Sequence, residues 1–397
     1  MKQVAKRLST IQPSATLALS ARADEMMAQG KPVINLTLGE PDFDTPQNIK
    51  DAAIQAVQKG FTKYTAVDGI KPLKQAIIAK LATENKLDYQ LKLILVSCGA
   101  KHSLFNLFAA LLNPGDEIII PAPYWVSYPD MAKIVEAVPV TISTGIETHF
   151  KMTAAQLEAV ITPKTRALVL NSPCNPTGMA YTADELKAFG DVLLKHPDVV
   201  VISDDIYEHI LWHNGPFTNI LNVCPALYDR CVVVNGVSKA YSMTGWRIGY
   251  AAGPEKLIAA MKTIQSQSTS NPCSIAQAAA VEALSGDQTS IAVMARAFRS
   301  RHDLILPQLQ KMPGIKCLPS DGAFYCFPSV QDVLYQSTTM TSDIEFGDYL
   351  LKEANIAVVP GSAFGAPGYF RLSFASSTEN LEEAMQRMGE AIRKLGT

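Results

Sequence analysis

The sequence predicts an α/β protein with a large domain, whose mainly parallel sheet is sandwiched by helices, and a smaller α+β domain. Three observations carry that expectation. From residue 46 to about 253, short β-branched or apolar runs alternate with amphipathic helical stretches, as in a parallel sheet covered by helices. Beyond residue 253 the pattern changes to long amphipathic helices followed by a few short strands. Several of the apolar runs end in polar side chains, at the place where open α/β sheets gather ligands. A chain of 397 residues with 48% hydrophobic content is long enough for both units.

The segment up to about Thr45 mixes polar and apolar residues. It ends in Gly39-Glu40-Pro41-Asp42-Phe43-Asp44-Thr45-Pro46, too rich in turn formers for a regular helix or a central strand, and reads as an arm crossing to another part of the fold. Helical patterns follow at 46–59, 70–85 and 101–112, and strand candidates at 93–96, 117–120, 166–170, 199–202 and 231–234. Helices are then expected at 254–267 and 291–310, strands at 323–327, 356–359 and 369–374, and a last helix at 379–395. The expected division is an arm with part of the small domain (1–45), a large domain (46–285) and a small domain (286–397).

Charge is balanced, with 35 basic against 37 acidic residues and no long block of one sign, so neither a nucleic acid nor an anionic membrane is the expected partner. A small soluble molecule is. The seven cysteines show no CxxC spacing and are odd in number, which suits buried thiols in a reducing compartment. The start of the chain carries Lys2, Lys6 and Arg7 but no apolar stretch behind them, and no window of about 18 uninterrupted apolar residues occurs, so the expected location is the cytoplasm. No HExxH or GxSxG motif is present and the histidines do not cluster, which places metal and serine-hydrolase chemistry low.

Candidate site residues lie where the apolar runs stop. The run at 166–170 leads into Asn171-Ser172-Pro173-Cys174-Asn175-Pro176-Thr177-Gly178, an irregular loop that aims Asn175 off the strand end and whose X-Pro bonds are candidates for the cis isomer. The run at 199–202 leads into Asp204 and Tyr207, suited to pairing with a protonated heterocyclic nitrogen and to donating to a ring oxygen; the plainer alternative is that Asp204 or Asp205 caps a helix. The run at 231–234 leads to Lys239, with Arg247 a short loop later. A desolvated amine beside cationic groups has a lowered pKa and becomes nucleophilic, which Schiff-base chemistry requires, and the guanidinium can neutralise a nearby phosphate.

A further anion element is the passage from strand to helix through Gly99, Ala100 and Lys101, where backbone N–H groups and the helix dipole suit a phosphate. Trp125, in Pro123-Tyr124-Trp125, can stack on a flat heterocycle or simply pack. Arg371 alternates with apolar neighbours on a short strand, so it needs a carboxylate, either a ligand's or an internal partner's.

Taken together, Gly39-Glu40-Pro41-Asp42-Phe43, Tyr64-Thr65, Pro123-Tyr124-Trp125, Asn175-Pro176-Thr177-Gly178, Asp204 to Tyr207, Ser238-Lys239, Gly245-Trp246-Arg247-Ile248-Gly249, Pro360-Gly361-Ser362-Ala363-Phe364 and Phe370-Arg371-Leu372-Ser373 closely resemble the class I aminotransferases of the fold-type I pyridoxal-phosphate superfamily. The likeness covers essentially the whole chain and is nearest to the bacterial aspartate aminotransferase branch that includes prephenate-active members.

The resemblance implies pyridoxal 5'-phosphate as cofactor, bound covalently by Lys239, which also shuttles the proton of the reaction. It implies that Asp204 keeps the pyridine nitrogen protonated, that Tyr207 and Asn175 bond the ring's phenolic oxygen, and that Trp125 stacks on the ring. Phosphate would fall to Arg247, the backbone of Gly99, Ala100 and Lys101, and Ser238, although a serine sometimes found three residues before the lysine is Gly236 here. Tyr64 would reach the phosphate of the opposite subunit in a homodimer with shared sites. The substrate α-carboxylate would meet Arg371, Asn175 and the Gly39 backbone, and its side-chain carboxylate would meet Ser14 and Thr16.

The implied reaction is amino transfer between aspartate and 2-oxoglutarate. Prephenate-active relatives tend to carry a basic residue where this chain has Gln12, which argues against that second activity. Specificity for alanine, aromatic amino acids or prephenate, or β-lyase chemistry, are the neighbouring alternatives on the same fold. A cofactor-sensing regulator is a different class, but the chain has no basic helical pair ahead of the catalytic-type domain.

Overall fold

The computed structural model describes residues 4–11, 15–212 and 216–395. Its centre is a seven-stranded sheet. After β1 (Ile34–Asn35), which lies elsewhere, the sheet strands are β2 (Ile94–Ser97), β3 (Glu117–Ala122), β4 (Val138–Ser143), β5 (Thr165–Asn171), β6 (Val200–Asp204), β7 (Cys231–Gly236) and β8 (Gly249–Ala252). They lie in the order β2-β8-β7-β6-β5-β3-β4, and every pairing is parallel except those of β8 with β2 and β7.

The strands are continuous apolar runs because both faces of the sheet are covered. Side chains alternate between faces, so Cys231 and Val233 of β7 join one hydrophobic cluster, and Val232 and Val234 join another. The first cluster holds Ile77 and Leu81 of helix Lys71–Thr83 together with Leu186 and Phe189 of helix Ala183–Leu193. The second holds Leu104, Leu107 and Phe108 of helix Ala100–Leu111 and Ile258 and Met261 of helix Glu255–Ser268. Among the described residues no helix is long and apolar enough to cross a membrane.

A third cluster gathers Ile34 and Leu36 with Phe298, Ile305, Phe324, Phe346, Leu381 and Met385 from the C-terminal part. Here β9 (Tyr325–Cys326), β11 (Val359–Pro360) and β12 (Phe370–Ser373) form an antiparallel sheet ordered β11-β12-β9, and β10 (Ile356–Ala357) pairs in parallel with β1. The single strand expected at 356–359 is thus divided between two sheets. Strand β1 brings the N-terminal segment into this cluster, and the turn-rich arm after it crosses over Lys239. Thr45 Oγ1 donates to the Ser242 carbonyl at 2.7 Å and accepts from Trp246 Nε1 at 3.0 Å, which ties the arm down.

Candidate active site

Five sheet strands deliver polar groups to one side of the fold, and β12 faces them from the smaller sheet. Together they enclose a cavity of about 310 Å³. Thr16, Gly39, Ala100, Lys101, Trp125, Asn175, Asp204, Tyr207, Ser238, Lys239, Arg247 and Arg371 all line it. Gly99 abuts it: a Cβ there would come within 2.4 Å of Arg247 Nη2, and its φ of +91° is one that side chains disfavour. Tyr64 is not brought in; it is 91% exposed on the surface of its own chain. Ser14 and Gln12 lie outside the described residues.

Lys239 Nζ donates to the Gly39 carbonyl at 2.5 Å, so the crossing arm and the loop after β7 meet at the amine. Burial lowers its pKa to about 8, with Arg371 and Arg247 adding to the effect and Glu40 opposing it. Asp204 ends β6 with one carboxylate oxygen accepting from Tyr128 Oη at 2.6 Å and the other from the Ile206 amide at 3.3 Å. Burial raises its pKa to about 6, against the Tyr128 hydrogen bond and the Lys239 charge. Asp205, one residue on, points the other way and accepts from Ser203 Oγ at 2.7 Å and Asn219 Nδ2 at 2.6 Å. Neither aspartate caps a helix.

Asn171 Nδ2 donates to the Asp204 carbonyl at 2.9 Å, while its Oδ1 accepts from the Asn175 amide at 2.9 Å. The bonds before Pro173 and Pro176 are both cis. Asn175 Oδ1 in turn accepts from Arg371 Nη1 at 2.9 Å, and Arg371 Nη2 donates to the Thr37 carbonyl at 2.6 Å. The guanidinium lies over the Tyr325 ring at 4.5 Å and the Phe364 ring at 5.0 Å. It is 2% exposed, its Nε has no hydrogen-bond partner, and among the described residues no carboxylate pairs with it. The internal salt bridge that sequence left open does not form. A buried cation without a counter-ion is costly, and an anion beside it would offset that cost.

Another part of the cavity wall combines a helix start with a guanidinium. Helix Ala100–Leu111 starts there, and the amides of its first residues have no carbonyl one turn back. Arg247, with φ of +57°, donates to the Thr244 carbonyl at 2.9 Å and the Cys98 carbonyl at 3.3 Å, so its guanidinium is fixed beside the turn. Lys101 Nζ sits 4.9 Å from the centre of the Trp125 ring. Burial, and then Arg247, lower its pKa. Among the described residues it has no carboxylate within ion-pair distance.

Sequence reasoning did not single out Tyr128, Asn171 or Tyr325 as site residues. Tyr128 stands three residues after Trp125 at the start of helix Ser127–Ile134, and Asn171 closes β5, so proximity to quoted motifs could have found both. Tyr325, whose hydroxyl is 2.7 Å from that of Tyr207, arrives on β9 from 118 residues away and carries no local signal.

Residues 31–388 match the family model described as aminotransferase class I and II. The aspartate/prephenate aminotransferase of Nitrosomonas europaea is 54% identical, the match covering 98% of this chain and 100% of that one. The crystal structure of the aspartate aminotransferase from Rhizobium meliloti, 48% identical, covers both chains fully with a TM-score of 0.96. That of Thermus thermophilus aspartate aminotransferase with maleate, 41% identical, covers 98% of this chain and 100% of its own with a TM-score of 0.93. With a matching family model over most of its length and relatives at this identity, the chain belongs to the class I and II aminotransferases.

Proposed function

We propose that this aminotransferase moves the amino group of L-aspartate to 2-oxoglutarate, holds pyridoxal 5'-phosphate on Lys239, and works as a cytoplasmic homodimer with shared sites. The observation that carries the reading is the cavity's charge layout. Arg371 is buried without a counter-ion, Lys101, an exposed side chain, lines the same cavity over Trp125, and the Lys239 amine lies on it too. Two cations suit the two carboxylates of aspartate, glutamate and their keto acids. The relatives' names point the same way, and maleate, present with the Thermus protein, is also a dicarboxylate.

The residues fit the cofactor on three structural grounds. A phosphate matches the cradle of helix-start amides and Arg247, whose space a side chain at Gly99 would fill. A pyridine nitrogen matches the buried Asp204 carboxylate. An aldehyde matches a partly buried amine of lowered pKa. When bound, the cofactor supplies an electron sink for the carbanion at the substrate Cα.

The chain's own residues do the rest. Asp204 would hold the proton on the pyridine nitrogen, with Tyr128 fixing its orientation. Tyr207 and Asn175 Nδ2 would hydrogen-bond the ring's phenolic oxygen, Asn175 Oδ1 being already engaged by Arg371. Trp125 would cover the ring, and Ser238 would add a phosphate contact; both line the cavity. Arg371 and the Gly39 backbone take the α-carboxylate, and Lys239 Nζ moves the proton to and from Cα. Thr16 and Lys101 face the side-chain carboxylate.

Tyr64, exposed and not on the lining of its own cavity, fits a residue that serves a partner subunit, and exposed Ile54, Val57 and Phe61 lie close by in sequence. Light scattering should give about twice 43.0 kDa; a monomer mass would remove the shared sites. Seven free thiols accord with the cytoplasm.

Lys101→Gln tests the substrate assignment. Removing one partner of a charged hydrogen bond is worth about 1.5–3 kcal/mol, so kcat/KM for aspartate and glutamate should fall roughly tenfold to a hundredfold while alanine is little changed. An equal fall for all three would sink the assignment of Lys101 to the distal carboxylate. Prephenate as an acceptor is a second reading, favoured by the name of the Nitrosomonas relative.

A further inference from the structure

Gln265 lies outside the cavity, on helix Glu255–Ser268, and is fully buried. Its amide is saturated. Oε1 accepts from Ser97 Oγ at 2.7 Å and Asn106 Nδ2 at 3.0 Å, and Nε2 donates to the carbonyls of Val96 at 2.8 Å and Val67 at 2.7 Å. Two donors and two acceptor sites are all that a carboxamide offers. The four partners are not scattered. Val96 and Ser97 end β2 immediately before the phosphate turn, Asn106 sits on the helix immediately after it, and Val67 lies in the loop that carries Tyr64.

That loop is held to the same strand by other contacts. The Val96 amide donates to the Asp68 carbonyl at 3.1 Å, and a Cβ on Gly69 would strike Val96 Cγ2 at 2.5 Å. A second buried amide, Gln277, accepts from the Ile70 amide at 2.8 Å and donates to Thr65 Oγ1 at 3.1 Å, closing the other end of the loop.

We propose that Gln265 is the positioning residue of the phosphate cradle, locking the turn at Gly99 and Ala100 to the Tyr64 loop so that both present their anion-binding groups in fixed register. The inference rests on the proposed use of pyridoxal 5'-phosphate. It has a physical basis in preorganisation: helix-start amides hold an anion well only if strand and helix on either side of the turn keep their relative placement. Gln265 bridges those two sides and adds the loop as a third. Loosening the turn should therefore weaken the hold on phosphate and leave the hold on the ring, set by Asp204, Asn175 and Lys239, as it is.

The test compares release of pyridoxal 5'-phosphate and of phosphate-free pyridoxal from full-length protein loaded with each, followed by the bound chromophore on dilution. For Gln265→Leu, of similar volume, the dissociation constant of the phosphate form should rise about tenfold or more while that of pyridoxal stays within about twofold, since a lost buried hydrogen bond is worth a factor of that order. A parallel weakening of both forms, or no weakening of either, overturns the role. Should that variant fail to fold, Ser97→Ala removes one of the four bonds and should show the same selective loss on a smaller scale. Wild-type protein that holds both forms equally would instead overturn the cofactor reading itself.

Discussion

At the scale of single residues, burial works against the charge of both a carboxylate and an amine in the cavity, raising the Asp204 pKa and lowering that of Lys239. Asp204 titrates at about 6 in the fold, above its ordinary value of 3.8. Between about pH 4 and 6 the folded state binds a proton that the unfolded chain has released, so this group makes the cofactor-free protein less stable as pH rises through that window. Tyr128→Phe removes the donor that opposes the shift, and the window should extend above pH 6; urea denaturation across pH 4–8 of both proteins reads it. An unmoved window would mean that Tyr128 does not sustain the Asp204 charge. Residues of this kind divide by how local their signal is. Lys239, Asp204, Asn175 and Arg247 were legible because each follows an apolar run or a turn that the eye can place. Tyr325, and the absence of a counter-ion for Arg371, were not, because both are properties of chain segments that meet only in the folded molecule.

At the scale of elements, polar contacts behind the sheet fix how helices sit against the strands that carry the site. Lys80, on helix Lys71–Thr83, is buried and pairs with Glu208, the residue after Tyr207, and with Asn85 Oδ1 at 2.7 Å. Glu208 also accepts from Asn85 Nδ2 and Asn235 Nδ2, each at 2.6 Å. Glu84, Glu208 and His209 lie close enough to share a cation, and the Lys80 ammonium, 3.5 Å from Glu84, already supplies one. Lys80→Met strands a buried carboxylate and should cost about 3–5 kcal/mol in a denaturant titration. Replacing Glu208 as well, with Leu, should recover much of that loss; no recovery would mean the pair is not the unit.

Elements without contrast escaped the sequence reading. Helix Ser274–Ser285 is alanine-rich and packs small residues against helices Gln47–Gln58 and Lys71–Thr83, so it shows little amphipathic pattern. Strand β8 reads Gly-Tyr-Ala-Ala, poor in β formers. Gly249 is required there because a Cβ would stand 2.1 Å from the Ala100 amide nitrogen. Strand β4 carries Pro139 at the sheet edge, where the missing donor is tolerated.

At the scale of the molecule, the cavity exists only where the large sheet meets the smaller one. Lys239 and Asp204 come from the first, Arg371 and Tyr325 from the second, and the N-terminal arm closes over the amine. The alternation of strands and helices made the larger unit legible, whereas β1 and β10 are two residues each and their pairing links segments more than 300 residues apart, beyond any periodicity. Whether this assembled cavity transfers amino groups of dicarboxylic acids is decided by single-turnover spectroscopy. Protein loaded with pyridoxal 5'-phosphate is mixed separately with aspartate, glutamate, alanine and phenylalanine, and the absorption of the bound cofactor is followed. Rapid conversion to the amine form with aspartate and glutamate, reversed by oxaloacetate or 2-oxoglutarate, and by prephenate if the second reading holds, is the predicted result. Faster conversion by alanine or phenylalanine, or no conversion by any of the four, would contradict it.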